Sequence, residues 1–399
     1  MGPEEFDIVA SAAGKVFLSG GYAVLEKGNV GYVTSINSRS HALISLTNSP
    51  TIDINVPQFG MHITGSVDQR SGTIDIDAPP ELKLVITALE LSNRYLRSQG
   101  IAISGLSIQT ENDEAFAYNI SNKTGKKLSK SGLGSSSAIT VATIGGVLGV
   151  YGISDVEIIH KLGQVSHSLA TGKRGSGFDI ATATYGSMVY SRYDPIFITA
   201  LGENFSNEQL ARVIESRWDY VAERLPMPAE FKMLVANFEG RAMLSAEAIA
   251  NVAQFKSRNP ERYQEVITNI NDATVEFVKL LKRISNGQGR ETDLYGIRET
   301  IDIGRKWSRI LGQESSVNVE PADCRELIER SNKHGALFSK LPGSGGYDSI
   351  VSVYRTSEEG DRIRDFWNAV RDEYGIAIKE SIGASEVGFS AKKLKVVRH

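Results

Sequence analysis

The first fifty residues fall into short apolar runs rich in β-branched and aromatic residues, punctuated by Gly, Asn and Ser. Such runs mark strands, and they predict them over FDIVASA, GKVFLSG, VGYVTSI and SHALISL. The same style continues through 51–76. Then the pattern changes. Leu82, Val85, Ile86, Leu89 and Leu96 recur at helical spacing, which predicts a helix over 81–98 that stops at Gly100. A strand over IAISGLSIQT follows, then a polar, exposed loop from Glu111 to Ser129. Beyond Gly134 the pattern is helical to Leu148 and again from Val156 to Leu169, with a strand over 186–193.

In the second half FKMLVANF reads as a strand, followed by helices near 245–256, 260–285 and 293–311. GALFSKL and SIVSVY are strands, 358–373 a helix and 376–379 a last strand. Between the halves, Arg224–Glu230 contains Pro226 and Pro228 and forms the expected boundary. A chain of 399 residues exceeds what one core usually serves. The expectation is therefore two α+β domains, 1–225 and 226–399, rather than a doubly wound parallel sheet.

Composition narrows the class of function. With 41% hydrophobic and 23% charged residues, the chain reads as an ordinary soluble globular protein. The longest apolar run, near Ile139 to Val150, is interrupted by Gly145, Gly146 and Gly149 and is too short to span a bilayer, so no membrane role is expected. The opening MGPEEFDIVA is acidic and unlike a signal peptide. A formal net charge of −3 gives no electrostatic footprint for nucleic acid, although a local cluster of cations would suffice for a small anionic substrate. The single cysteine, Cys324, excludes an internal disulfide framework and fits a reducing cytoplasm.

Three glycine-rich segments carry the candidate chemistry. They are Ser11-Ala12-Ala13-Gly14-Lys15, then Lys130-Ser131-Gly132-Leu133-Gly134-Ser135-Ser136-Ser137-Ala138, then Leu341-Pro342-Gly343-Ser344-Gly345-Gly346-Tyr347-Asp348. The second precedes an apolar helix. Unpaired N–H groups and a partial positive charge at a helix N-terminus suit a phosphate, and upstream glycines let the backbone wrap it closely. A glycine–serine loop that merely caps a helix fits the same residues. The usual nucleotide fingerprints are absent: no G-x-x-x-x-G-K-[ST] or G-x-G-x-x-G completes, and the protein-kinase set is missing.

In this order and spacing, the three segments resemble the three motifs of the GHMP kinases, the family of galactokinase, homoserine kinase, mevalonate kinase and phosphomevalonate kinase. Within it the chain is most similar to the phosphomevalonate kinase branch. Ser19-Gly20-Gly21-Tyr22-Ala23-Val24-Leu25 stands where many relatives carry G-E-H, and Lys130 stands just before the central loop. The run from Gln164 to Asp179 is similar to Q-x-x-H-S-x-A-x-G-K-x-G-S-G-F-D, and Val319-Glu320-Pro321 is similar to an I-E-P element. The family's Ala-Pro-Gly-Lys reads Ala12-Ala13-Gly14-Lys15 here. Where other members place a metal-binding glutamate, about a dozen residues before the aspartate, this chain offers Gln164, His167 and Ser168.

The resemblance implies a two-domain fold, with an N-terminal ribosomal-protein-S5-like domain and a C-terminal ferredoxin-like domain. It implies ATP as co-substrate, Mg²⁺ as cofactor and 5-phosphomevalonate as acceptor, in a monomer or homodimer. Lys15 and Asp179 are the catalytic pair it assigns. Lys130, Gly132, Leu133, Gly134, Ser135, Ser136 and Ser137 would hold ATP, with Ser136 also on the metal. Tyr22, Lys173, Ser176, Gly345 and Gly346 would hold the acceptor, with Arg174 assisting. Simpler readings stand beside these. Lys15 could be a solvated strand-end lysine, and His167 a satisfied core histidine outside the catalytic set. His41 and Cys324 read as structural, and the charges of 293–309 as a solvated helix face. Alternatives for the whole chain are mevalonate kinase or another GHMP acceptor, a related decarboxylase, or a nucleotide-binding regulator without turnover.

Overall fold

Twelve mostly buried residues form the first strand, and the last strand returns to pair with it. The computed structural model describes residues 6–116, 132–173, 175–202, 204–239, 245–379 and 382–394. Its first half runs β1 (Ile8–Ser19), β2 (Gly31–Thr47), β3 (Thr51–Val56), β4 (Met61–Val67), β5 (Ile74–Asp75), α1 (Lys83–Ser98) and β6 (Gly105–Asn112). Next come α2 (Ser135–Val150), α3 (Val156–Thr171), α4 (Phe178–Tyr185), β7 (Met188–Ser191), α5 (Ile196–Thr199), α6 (Asn207–Glu215) and β8 (Val221–Arg224). The second half holds β9 (Lys232–Phe238), α7 (Ser245–Arg258), α8 (Pro260–Ser285), α9 (Glu291–Ser315), α10 (Ala322–Lys333), β10 (Phe338–Lys340) and β11 (Ser349–Tyr354). It ends with α11 (Ser357–Tyr374), β12 (Ile376–Lys379), β13 (Ala384–Ser385) and β14 (Phe389–Lys393).

The expected strand pairs on either side of Gly14 and of Asn37–Ser38 are single long strands, β1 and β2. They pair antiparallel, with register shifts between Ala13 and Lys15 and between Phe17 and Ser19. Such bulges re-aim side chains, and Lys15 sits at one. The first sheet has strand order β14-β1-β2-β6-β3-β4-β5, with β7 and β13 also on β2 and β8 on β7. All its ladders are antiparallel except β3 with β6. Helix α2 is apolar on every side and buried at the centre, against β1, β2, α1 and α3. A helix of that kind belongs inside a core.

The second sheet, β10-β11-β9-β12, is antiparallel throughout. With helices between β9 and β10 and between β11 and β12, its order is that of a ferredoxin-like unit, as the sequence led us to expect. Strand β9 shows why it is buried on both faces. Leu234, Ala236 and Phe238 pack with Ile328 of α10 and Trp367 of α11, while Met233 and Val235 join the core that contains Phe277 of α8.

Two expectations need correction. The segment 226–399 is not one unit in space, because β13 pairs with β2 and β14 pairs with β1 over Ile8–Ala12. The charges of 293–309 are not all a solvated face either. Arg305 is 9% exposed and Asp293 5%, because α9 turns them toward Glu320 and Arg283 respectively. Among the described residues no helix is long and apolar enough to cross a membrane.

Candidate active site

The first two glycine segments meet at Lys15. Its backbone N–H donates to the Leu133 carbonyl at 2.7 Å, and its Nζ donates to the Gly132 carbonyl at 2.8 Å. This contact explains Gly14. A Cβ there would lie 2.5 Å from the Phe116 ring and 2.7 Å from the Leu133 oxygen, so a larger residue would push the loop off the strand. Gly134 has φ of +85°, in the left-handed region, and a Cβ on it would approach Lys15 Cγ at 2.9 Å. Helix α2 begins immediately afterwards. Its first-turn N–H groups therefore open toward the loop that holds Lys15, which is the geometry of an anion cradle. Ser137 is fully buried there, with its hydroxyl turned to the Asp179 carboxyl.

Asp179 reaches the same place on α4, a helix that the apolar pattern does not announce. Its Oδ1 accepts from the Ile180 N–H at 3.0 Å. Gln164, on α3, fixes the start of that helix. Its Nε2 donates to the Gly177 carbonyl at 2.7 Å, its Oε1 accepts from the Tyr193 hydroxyl at 3.3 Å, and His160 lies 2.9 Å from its amide. Tyr190 adds a bond to the Ser176 carbonyl at 2.9 Å. Phe178 stacks on Phe17 with ring centroids 4.3 Å apart, and Lys15 Nζ lies 5.5 Å from the Phe178 ring centre.

The third segment joins β10 to β11. Gly346 N–H donates to the Val319 carbonyl at 2.8 Å, so Val319-Glu320-Pro321 is the shelf on which this loop rests. Tyr22 donates its hydroxyl to the Ser344 carbonyl at 3.3 Å, tying the first segment to the third. The loop ends at Asp348, which lies beside Lys15. A Cβ placed on Gly132 would sit 3.7 Å from Asp348 Cβ and 3.5 Å from Ser349 Oγ. Ser349 Oγ is buried and has no hydrogen-bond partner among the described residues.

Charge decides what this arrangement can do. Burial pulls Lys15 below the ordinary lysine value, while Asp179 and Asp348 pull it back up. Burial alone would raise Asp179. The charges of His167 and Lys15, helped by Ser137 and the Ile180 N–H, outweigh it and hold that carboxyl below its usual range. Asp348 is pushed up by burial and only partly restrained by Lys15. Tyr22 is pushed well above the ordinary phenol value by burial and by Asp348, so it stays a donor. The result is a cation between two carboxylates at the mouth of a helix N-terminus, suited to bridging phosphate groups.

Some expected residues converge here and others do not. Lys15, Gly132, Leu133, Gly134, Ser136, Ser137 and Asp179 come together, with Tyr22, Gly345 and Gly346 next to them. Lys130 and Arg174 lie outside the described residues. Lys173 is exposed past the end of α3, and no described hydrogen bond or ion pair joins it to Lys15 or Asp179. Ser176 is buried. His41 is held by Asp113 at 3.0 Å, as a structural histidine would be. His167 departs from the sequence reading. It is half-buried, its Nε2 is 3.5 Å from Ser136 Oγ, and its charge acts on Asp179. Asp348 is the other residue that motif matching alone leaves without a role. Its place at the end of the third glycine segment is the only sequence signal for it.

The GHMP kinases N terminal domain pattern matches residues 84–187, and the GHMP kinases C terminal pattern matches 298–372. The chain is 29% identical to phosphomevalonate kinase of Candida albicans, over 88% of this chain and 90% of that one. Solved structures share its fold. A protein from Listeria innocua superposes with a TM-score of 0.79 at 21% identity, covering 96% of this chain and 99% of that one. Streptococcus pneumoniae phosphomevalonate kinase, in complex with phosphomevalonate and AMPPNP, gives 0.72 at 20% identity, covering 94% and 99%. With both matches in sequence, the fold they describe and three glycine segments gathered on one lysine, the chain carries the N- and C-terminal domains of the GHMP kinases.

Proposed function

We propose that this chain transfers the γ-phosphoryl group of ATP to 5-phosphomevalonate, giving ADP and 5-diphosphomevalonate. The observation that carries the reading is Lys15, stitched to the central loop and flanked by Asp179 and Asp348. The similarity to phosphomevalonate kinases over nearly the whole chain supports the choice of acceptor.

The acceptor is a phosphate monoester with a second pKa of about 6, so it is already mostly dianionic at neutral pH. No strong general base is needed. An acceptor phosphate oxygen forms a bond to the γ-phosphorus, and the bond from that phosphorus to the β-bridging oxygen breaks as ADP leaves. The difficulty is bringing two polyanions together, so catalysis rests on positioning and on offsetting charge. Lys15 bridges the transferred group and the acceptor. The backbone of Gly132 to Ser137 cradles the ATP phosphates, with Lys130 beside them. Asp179 orients Lys15 and the acceptor oxygen, and Lys173, Ser176 and Tyr22 hold the acceptor with Gly345 and Gly346.

Mg²⁺ supplies charge neutralisation on the phosphates when bound. Among the described residues no group of three or more His, Cys, Asp or Glu side chains could cage a metal. Mg²⁺ commonly takes most of its ligands from phosphates and water, however, and one protein oxygen on the loop is compatible with that habit. Ser136 would provide it, while His167 beside it is a nitrogen donor that Mg²⁺ does not favour. The single cysteine, buried in α10, suits a cytoplasmic setting.

The test is ADP release with ATP and Mg²⁺, offering 5-phosphomevalonate, mevalonate and homoserine side by side. Turnover confined to 5-phosphomevalonate is the expected result. Turnover on mevalonate alone would keep the fold and overturn the acceptor.

A further inference from the structure

A cavity of about 40 Å³ lies beside the first and third glycine segments, bounded among others by Gly20, Tyr22, Arg305, Gly345 and Lys340. Lys340 is 9% exposed, and its Nζ donates to the Leu18 carbonyl at 2.9 Å. That carbonyl is the one acceptor described for it. Its charged neighbours do not neutralise it. Glu320 is engaged by Arg305 at 2.8 and 3.1 Å and by Arg309 at 2.8 Å. Burial and Arg305 pull the Lys340 amine down to about 8, with Glu320 pulling weakly the other way. Glu320 lines the same cavity but is held by Arg305 and Arg309, so the buried ammonium has no carboxylate of its own, a cost that an anion relieves.

Size and distance say which anion. A cavity of about 40 Å³ admits a carboxylate or a water or two, but not a whole six-carbon acid. Leu18 lies three residues beyond Lys15 on β1, which is ~10 Å along a strand. An extended 5-phosphomevalonate separates its carboxylate from its phosphorus by ~8 Å at ordinary bond lengths. With its phosphate at Lys15, its other end reaches the neighbourhood of the Leu18 carbonyl. Tyr22 also lines the cavity, its hydroxyl on the Ser344 carbonyl.

We propose that Lys340, at the floor of this cavity, binds the carboxylate of the acceptor and so selects ω-phosphorylated short carboxylic acids. This rests on the acceptor proposed above. The simpler account makes Lys340 a strut that ties β10 to β1 through the Leu18 carbonyl.

Calorimetry separates the two. The ligands are 5-phosphomevalonate and its alcohol analogue, in which CH₂OH replaces the carboxylate. The proteins are wild type, Lys340→Met, and Lys340→Gln, which keeps a donor for the Leu18 carbonyl. Wild type should bind the analogue ~10- to 100-fold more weakly, the range of a charge-assisted hydrogen bond. In both variants that preference should collapse to within about twofold, as a double-mutant cycle requires of a direct contact. Equal affinity of wild type for the two ligands would overturn the proposal, even if neither variant folds. So would variants that bind both ligands more weakly but keep the preference, the pattern of a strut. Wild type that binds neither ligand would instead contradict the proposed function itself.

Discussion

Lys15 is held by the loop it serves, through its own backbone N–H and its side chain. Its two carboxylate neighbours differ in kind. Asp179 is kept ionised by the cations around it, whereas Asp348 is pushed toward protonation by burial. Because the acceptor needs little deprotonation, the positive charge matters more than a base. Lys15→Met should therefore lower kcat by ~10³-fold and Asp179→Asn by only ~10²-fold, the span seen when one electrostatic contact to a transition state is removed. Steady-state kinetics of the two variants check this, and the reverse order would contradict the division of labour. Lys15 and Asp179 were legible in the sequence because each sits in a motif. His167 was not, since a histidine among apolar residues reads as core until α3 is seen beside the start of α2. Asp348 was not, since only folding brings the third segment onto the second.

Helix α4 is eight residues long and rich in Ala and Thr, so it has neither the length nor the apolar stripe that reveals α1 or α8 in the sequence. Shortness also hides α5 and β8, four residues each, and α6, nine residues long although it buries Leu210 and Ile214. The long elements were legible for the opposite reason. Helices α8 and α9 each span more than six turns with a sustained periodicity, and their expected bounds fall within a few residues of those observed. Strands β1 and β2 were read as two pieces each because Gly and Ser suggest turns, whereas Gly14 is there to let the central loop approach. What α4 lacks in propensity it gains from Gln164. Gln164→Leu keeps the bulk but loses the bond to the Gly177 carbonyl, and it leaves His160 facing a methyl group. It should cut kcat by ~10- to 100-fold, as expected when a catalytic group shifts by about an ångström. The KM for ATP should change less, because the cradle at α2 is untouched. A KM effect larger than the kcat effect would show that Gln164 does not act through Asp179.

At the scale of the molecule, the site belongs to both sheets. Lys15 and Asp179 come from the first half, while Asp348 and the Val319 shelf come from the second. The chain then crosses back, and β14 pairs with β1 directly behind the Lys15 segment. Removing residues 382–399 would expose the edge of β1 over Ile8–Ala12 and uncover Phe389's place against α2. It should lower the melting temperature by at least ~2 °C, since even ~2 kcal/mol shifts a chain of this size that far. An unchanged melting curve would mean that the returning strands do not support the site. Nothing in the periodicity of the last residues announces this return, because a five-residue strand with exposed lysines looks like a tail.

The central claim is chemical: the group that accepts the phosphoryl is itself a phosphate. Phosphorus NMR of the product formed from ATP and 5-phosphomevalonate tests it most directly. The account predicts that the acceptor's single monoester resonance is replaced by the two coupled resonances of a diphosphate ester, in step with the appearance of ADP. Two uncoupled monoester resonances would place the new group on a hydroxyl and contradict the account.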